Sequence, residues 1–366
     1  MIETPLAPYL FWAKTRRPAA IDLAGSNLLA CAIDDLPGVR EALDISARND
    51  NGYEPLVDAI ARHYHIRADR VATATGCSGA NFITTAALVG AGDHVLVERP
   101  AYDPLVAACR LVGASVERFE RRFADQFAVD LDDLARRLTP RTRLIVVTTP
   151  HNPSGVSLTS ETLHGLGAIA ARVGATVLVD EVYLDVTSLI HGDGPTTHSA
   201  ARLDGPFVVT NSLTKSYGLA GLRCGWAIGS ATIAERIRRA RDVVDNAGPA
   251  PADRIGAHAF TLLARLADRA RDILAGNVER AREFFAAHPR LEVAQLPRSP
   301  VTFPRIAREP DASAFIRHLL DRHGLAVAPG GFFEAPAHFR LSLAGAPDLL
   351  ARGLEKLGHG LHELAS

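Results

Sequence analysis

Between about residues 71 and 230 the chain alternates short apolar runs, rich in β-branched residues, with segments of helical periodicity. The apolar runs are VATAT, HVLVE, LIVVTTP, ATVLVDEV and FVVTNS. Strands that are apolar throughout are buried on both faces, and the helices between them supply the cover. The alternation therefore predicts an α/β domain with a parallel or mixed sheet. Ligands bind such sheets at the carboxyl ends of the strands, so the residues after each strand are the functional candidates.

The remainder of the chain predicts a smaller α+β domain. Helical patterns dominate from about 231 to 288, and the last part mixes short strands with helices near 311–322 and 347–364. The first 45 residues are irregular and contain several prolines, and we expect them to pack on this smaller domain. We predict an N-terminal arm at 1–45, a large domain at 46–250 and a small C-terminal domain at 251–366.

Composition narrows the class of protein. The formal net charge is -1, which gives no reason to expect nucleic acid or an anionic membrane surface as a partner. No apolar run approaches the roughly 20 residues that span a bilayer, and the start, MIETPLAPYLFWAK, does not resemble a signal peptide. The cysteines lack metal-ligand spacing, which predicts a reduced, cytoplasmic protein without a metal site; they are Cys31, Cys77, Cys109 and Cys224.

Polar and aromatic residues follow the predicted strands. GCSGAN, residues 76 to 81, opens a helix whose first N–H groups suit an anion, although a plain glycine turn is the structural alternative. Tyr102 is either core or a flat surface for a ring. Asn152, in HNPSG, either makes a turn or points into a cleft. Asp180 and Tyr183, in DEVY, end a buried strand, where a carboxylate is costly unless it is paired.

A lysine follows the last of these strands. The chain contains three lysines, Lys14, Lys215 and Lys356, and otherwise uses arginine for its permanent cations. Lys215 lies between Ser212 and Arg223 in NSLTKSYGLAGLRCG. A lone lysine is usually a solvated surface charge, but only a lysine amine can lose its proton and attack a carbonyl. Together, the amine, the strand-end acid, the aromatic ring, the amide and the anion-binding turn are the groups that bind pyridoxal 5'-phosphate (PLP).

With these motifs the sequence resembles the class I/II aminotransferases, the fold-type I PLP enzymes, from about residue 20 to the end. The most specific match is SLTKSYGLAGLRCG, which follows the family's Ser-x-x-Lys…Gly-x-Arg-x-Gly signature. NPSG and DEVY stand in the expected order and separation. The resemblance implies a large domain with a mostly parallel, seven-stranded sheet covered by helices, and a smaller α+β domain formed by the C-terminal part and the N-terminal segment.

The resemblance also implies roles for individual residues. Lys215 forms a Schiff base with PLP and then serves as the base at Cα, which requires a lowered pKa. Asp180 pairs with the pyridine nitrogen, while Asn152 and Tyr183 reach the ring oxygen. Tyr102 stacks on the ring. The phosphate is held by Cys77, Ser78, Ser212 and Arg223. Arg340, in HFRLSLAG, grips the substrate α-carboxylate with its fork of N–H groups.

Two places depart from the family pattern. The family's tyrosine that reaches the partner subunit's phosphate is replaced by Ala47, and we hypothesise that Arg48 substitutes for it. The family's glycine near the substrate has no clear counterpart among Gly25, Ser26 and Asn27.

The expected reaction is transfer of an amino group between an L-amino acid and a 2-oxo acid. The same groups also support β-elimination, decarboxylation or cyclopropane formation, and sequence does not show which bond to Cα breaks. A PLP-binding regulator without catalysis is disfavoured, because Lys215, Asp180 and Arg340 are all present. The resemblance further implies a homodimer with a shared active site.

Overall fold

A computed structural model of the protein describes residues 7–45 and 49–364. The strands are β1 (Ile21–Asp22), β2 (Val71–Thr75), β3 (His94–Arg99), β4 (Ser115–Glu120), β5 (Thr142–Thr148), β6 (Thr176–Asp180), β7 (Phe207–Ser212), β8 (Cys224–Ile228), β9 (Leu291–Glu292), β10 (Val301–Thr302), β11 (Arg305–Ile306), β12 (Leu325–Ala326), β13 (Ala328–Pro329) and β14 (Phe339–Ser342). The α-helices are α1 (Pro8–Thr15), α2 (Val39–Ala42), α3 (Glu54–Tyr64), α4 (Gly76–Leu88), α5 (Asp103–Leu111), α6 (Leu131–Arg137), α7 (Ser160–Ala171), α8 (Leu184–Ile190), α9 (Leu213–Tyr217), α10 (Ala231–Val244), α11 (Ala250–Thr261), α12 (Leu263–Ala287), α13 (Ser313–His323) and α14 (Pro347–Glu363).

The central sheet has seven strands in the order β2-β8-β7-β6-β5-β3-β4. All neighbouring pairs are parallel except those that β8 makes with β2 and β7, which are antiparallel. Because β8 runs against both neighbours, β2 points the same way as β7. The predicted α/β fold with a mostly parallel sheet is therefore confirmed.

Successive side chains of the inner strands point to opposite faces, and both faces are buried. Val146 and Leu178 pack in the core on one face, whereas Val147 and Val179 pack in the core on the other. This two-sided burial explains why these strands are apolar throughout.

Two strands of the sheet were not among the runs that the sequence analysis identified. The edge strand β4, SVERFE, has mostly half-exposed side chains, so solvent rather than core selects its charged residues. The strand β8, CGWAI, is short and contains a glycine. Neither segment has the continuous β-branched composition that marks the inner strands.

A second core lies beneath the smaller domain's three-stranded antiparallel sheet, ordered β10-β14-β13, and Val186 of α8 also packs in it. The N-terminal segment joins this domain through β1, which pairs in parallel with β12. Helix α12 serves both cores, because Leu266 and Ala267 pack in the large-domain core while Ala270 and Leu274 pack in the small-domain core. The domain boundaries given above stay predictions. Among the described residues, no helix combines the length and apolar character needed to cross a membrane.

Candidate active site

The candidate residues meet at one edge of the sheet, where β2, β3, β5, β6 and β7 all end. Each strand carries a functional residue at its end or within a few residues past it, as expected for the carboxyl edge of an α/β sheet. A cavity of about 240 Å³ lies there. Seven of the predicted residues line it: Cys77, Ser78, Tyr102, Asn152, Asp180, Tyr183 and Lys215.

Lys215 enters this cavity from the short helix α9, directly after β7. The Ser212 hydroxyl begins that helix by accepting a hydrogen bond from the backbone N–H of Thr214 at 3.3 Å. The Lys215 amine donates to the Ser26 hydroxyl at 2.9 Å and to the Asn27 side-chain oxygen at 2.5 Å. Both acceptors come from the N-terminal segment that completes the small domain.

The environment of Lys215 favours its neutral amine. Burial, followed by the positive charge of Arg340, lowers the pKa of Lys215 to about 7, although the Asp180 carboxylate opposes this shift. Arg223 adds a smaller effect in the same direction as Arg340. An amine with this pKa is substantially neutral near pH 7 and is competent as a nucleophile or base.

Asp180 ends β6 and is 5% exposed. Its carboxylate accepts hydrogen bonds from the Asn81 amide at 2.8 Å, the Val182 backbone N–H at 3.1 Å and the Cys77 thiol at 3.3 Å. Burial raises the pKa of Asp180, and these hydrogen bonds oppose the rise. Three donors around one buried carboxylate hold it in a fixed orientation toward the cavity.

The Cys77 thiol has a role that the sequence analysis did not assign. Burial, with the neighbouring Asp180 charge, raises the pKa of Cys77 well above its ordinary value. The thiol therefore stays protonated and donates to Asp180 rather than acting as a nucleophile.

An anion site is formed where β2 passes into α4. Gly76 opens the helix with φ +71°, and a Cβ there would overlap the Arg223 guanidinium. Arg223 precedes the antiparallel strand β8, which therefore starts at the same edge where β2 ends. The first N–H groups of α4, at Cys77 and Ser78, lie beside this cation. A helix N-terminus next to a guanidinium suits a phosphate group.

Arg340 lies behind the cavity, on β14, and is 1% exposed. One terminal nitrogen donates to the Asn152 side-chain oxygen at 2.8 Å, and the other donates to the Tyr9 hydroxyl at 2.6 Å and to the Ala24 carbonyl at 2.9 Å. Its Nε has no partner among the described residues, and no carboxylate there forms an ion pair with it. A buried cation without a counter-ion is costly, so the site is suited to an incoming carboxylate.

Two tyrosines complete the walls. The Tyr183 hydroxyl is buried and makes no hydrogen bond of good geometry to a described residue, although the Ser26 side chain lies close to it. Burial raises the pKa of Tyr183 to about 12 against an opposing effect of Ser26, so the hydroxyl remains a donor. Tyr102 is half-buried at the start of α5, and its ring meets the Tyr9 ring edge-on, with centroids 6.2 Å apart.

These groups fit the PLP that the sequence analysis predicts. The cavity offers a neutral amine for the aldehyde, a carboxylate for the pyridine nitrogen and an unpaired tyrosine hydroxyl for the ring oxygen. The site at Gly76 and Arg223 offers donors for the phosphate. Ser212 and Arg223 flank the cavity rather than line it, as does Arg340.

Several further residues of the site were missed or left without a role. Asn81 is buried inside α4 and holds Asp180, and its position one turn past Cys77 is a signal that sequence could have offered. Tyr9, on α1, was not among the predicted site residues, and its hydroxyl accepts a hydrogen bond from Arg340. Ser26 and Asn27 were noted without a register. The hypothesis about Arg48, like the departure at Ala47, falls outside the described residues.

Comparison with known proteins finds one family of related enzymes. The family model described as aminotransferase class I and II matches residues 39–357. The chain is 32% identical to capreomycidine synthase from Streptomyces vinaceus, over 98% of this chain and 94% of that protein. It is 28% identical to the arginine–pyruvate transaminase AruH of Pseudomonas aeruginosa, over 76% of this chain and 71% of that protein. The crystal structure of the PLP-dependent cyclase OrfR superposes with a TM-score of 0.86 at 26% identity, covering 100% of this chain and 98% of that chain.

Proposed function

Because the chain belongs to the class I and II aminotransferase family of PLP-dependent enzymes, we propose that it removes the Cα proton of an α-amino acid and transfers the amino group to a 2-oxo acid. The observation that carries this proposal is the Lys215 amine, whose pKa is lowered to about 7 inside the cavity. A base at that position with a pKa near neutrality is matched to proton removal at physiological pH.

The chain's own residues divide the work. Arg340 binds the substrate α-carboxylate, and Asn152 and Tyr9 hold its guanidinium in place. Bound PLP supplies the electron-withdrawing system that stabilises negative charge on Cα. Asp180 keeps the pyridine nitrogen positively charged, and Lys215 accepts the Cα proton and later donates it again.

A cyclising reaction is the second candidate. It is favoured by two of the relatives that match nearly the whole chain, one named a synthase and the other a cyclase. In such a reaction Lys215 takes the Cα proton and a substituent leaves Cβ with its electron pair. A nucleophile on the substrate side chain then bonds to Cβ, and Lys215 returns the proton to Cα. The α-amino group stays on the product.

The test is to incubate the holoprotein with single L-amino acids, without a 2-oxo acid acceptor, and to identify products by mass spectrometry. Transamination gives one equivalent of 2-oxo acid per active site, and it becomes catalytic when pyruvate or 2-oxoglutarate is added. Cyclisation gives a product that retains its amino nitrogen and lacks the Cβ substituent. Catalytic release of ammonia or carbon dioxide would instead identify a lyase or a decarboxylase and contradict the aminotransferase assignment.

A separate measurement tests the cofactor attachment itself. Borohydride reduction followed by peptide mapping is expected to place the PLP mass on Lys215. The matched control is the Lys215→Ala protein, in which no peptide gains that mass. Attachment of PLP at Lys14 or Lys356 in the unsubstituted protein would contradict the assigned site.

We also propose a cytoplasmic homodimer. All four cysteines are free thiols, which agrees with a reducing compartment. Large apolar side chains are exposed on the segment around α2, including Ile33, Leu43 and Ile45, and burial against a second copy would remove them from water. Light scattering after size exclusion is expected to give twice the chain mass of 39.1 kDa. A monomer at micromolar concentration would contradict this assembly.

A further inference from the structure

A cluster of two histidines and a glutamate lies in the small domain, away from the active-site cavity. His318 and His323 come from α13, and Glu363 is the last residue of α14. The two Nε2 atoms are 2.5 Å and 3.2 Å from the same carboxylate oxygen of Glu363. Three potential ligand atoms, all within 4.8 Å of one another, therefore converge on one point between two helices.

The separation of the His323 and Glu363 ligand atoms is close to what a divalent transition metal requires. Zinc binds imidazole nitrogen and carboxylate oxygen at about 2.0–2.1 Å, so ligand atoms of a tetrahedral site lie about 3.3 Å apart. The His323 pair already has that separation. The His318 pair is shorter, and a small outward rotation of exposed side chains is enough to open it.

The burial of the three side chains gives one fixed and two adjustable ligands. The His323 side chain is 10% exposed, that of His318 is 34% exposed and that of Glu363 is 51% exposed. His359 lies one turn before Glu363 on α14, and its ring centroid is 6.4 Å from that of His323. A water molecule or His359 can therefore fill a fourth position.

An ordinary surface ion pair is the alternative, and the chain contains one for comparison. His198 and Asp193 are 3.0 Å apart and exposed, and no second histidine of the described residues bonds to that carboxylate. In the small-domain cluster two imidazoles are directed at a single oxygen, an arrangement that a hydrogen-bonded pair does not require. Two nitrogens and one oxygen are instead the donor set that borderline metal ions favour.

We propose that His318, His323 and Glu363 form a binding site for a divalent transition metal of the zinc class. The bound metal links the end of α13 to the end of α14 and so stabilises the small domain. Cysteine spacing gives no sign of this site, because its ligands are histidines and a glutamate that lie 40 and 45 positions apart in the sequence.

The test uses the PLP-loaded protein, freed of excess PLP and kept reduced, and titrates it with Zn²⁺ by calorimetry. One site per chain and an increase in melting temperature are expected, since a ligand that binds the folded state stabilises it. Co²⁺ is expected to give visible absorption typical of nitrogen and oxygen ligands. His318→Ala is expected to weaken Zn²⁺ binding about tenfold or more, and His198→Ala, the matched control, is expected to leave it unchanged.

Glu363→Gln provides a second ligand variant at an exposed position, in case His318→Ala lowers the stability of the metal-free protein. We expect this variant to lose Zn²⁺ affinity to the same extent. In the presence of a chelator its melting temperature should equal that of the unsubstituted protein. The proposal is overturned if Zn²⁺ binds only in the millimolar range, or if the ligand variants and the His198 variant bind it equally well.

Discussion

The proposed chemistry depends on the amine of Lys215. Lys215→Arg preserves a positive charge but cannot lose its proton. We expect turnover to fall by a factor of roughly 10²–10⁴, the usual contribution of a positioned base. Lys356→Arg, on α14, is the matched control and should retain activity. Steady-state kinetics of both variants are measured with the amino acid that reacts in the incubations proposed above. Substantial turnover by the Lys215 variant would exclude Lys215 as the base.

The lowered pKa of Lys215 has its own consequence for cofactor uptake. Only the neutral amine attacks an aldehyde, so covalent uptake of PLP by the apoprotein should accelerate as pH rises through about 7. Arg340→Gln removes a nearby positive charge and thereby stabilises the protonated form of the Lys215 amine. The pKa of Lys215 then rises, and the midpoint should move to higher pH. Stopped-flow absorbance between pH 5.5 and 9.5 measures it, and a rate that is flat across pH 7 would contradict the shift.

Asn81 is a positioning residue for Asp180. Asn81→Ala removes a 2.8 Å hydrogen bond to a buried carboxylate, so we expect a loss of about 1–3 kcal/mol in the free energy of unfolding. The hydroxyl of Thr84, on the same helix, is buried without a partner among the described residues, and Thr84→Val should leave stability unchanged or improve it. Denaturant titration measures the free energy of unfolding of both variants. Equal values would show that Asn81 does not position Asp180.

The site residues that could be predicted from the sequence are those whose position relative to a strand can be recognised locally. Lys215, Asp180 and Asn152 follow apolar strands, and the edge of a parallel sheet brings strand ends together. The residues that it missed act across long stretches of chain. Asn81 reaches Asp180 over 99 positions, and Ser26 reaches Lys215 over 189 positions. Such contacts depend on how the domains pack, which local patterns do not report.

At the scale of elements, the close approach of β8 to the start of α4 shapes the anion site. Gly225 lies against Gly76, and a Cβ at 225 would come within 2.7 Å of the Gly76 Cα. Because the obstacle is backbone, Gly225→Ala must displace β8 or the helix start. We expect a cost of about 1–3 kcal/mol in stability together with weaker PLP binding.

Gly221→Ala is the control for this prediction, since its Cβ would meet open space in the turn that precedes β8. Thermal unfolding and fluorescence titration with PLP measure the two effects. An unchanged PLP affinity in the Gly225 variant would show that the packing of β8 does not define the phosphate site.

Strands could be predicted from the sequence where burial determines which residue types they contain. The inner strands are covered on both faces and are apolar at every position, so β5 and β6 are evident in the sequence. The edge strand β4 mixes charged and apolar residues without a regular pattern and is specified mainly by its pairing with β3. Tertiary pairing of that kind leaves a weak local signal.

At the scale of the whole molecule, α1 connects the two domains across the cavity. The Tyr9 backbone N–H donates to Asp103 of α5, at 2.8 Å, while its hydroxyl accepts from Arg340 of β14. Tyr9→Phe removes the contact to Arg340 but keeps the ring. We expect KM for the amino acid to rise about tenfold, the size of a lost hydrogen bond to a charged group.

Phe11→Leu is the control, because Phe11 is 65% exposed on the outer side of the same helix. Initial rates over a range of amino acid concentrations separate KM from kcat. A variant with altered kcat and unchanged KM would show that Tyr9 does not act through the carboxylate site.

Helix α12 limits how the two domains can move. Its 25 residues form a rod of about 38 Å that is embedded in the large-domain core at one end and in the small-domain core along the rest. A rod seated in both bodies resists twisting and sliding, so we expect any relative motion of the domains to be a swing about its embedded end. Such a swing would change the distance between Arg340, carried by the small domain, and Lys215, carried by the large one. The separation of the proposed carboxylate-binding group from the proposed base would then follow a single angular coordinate.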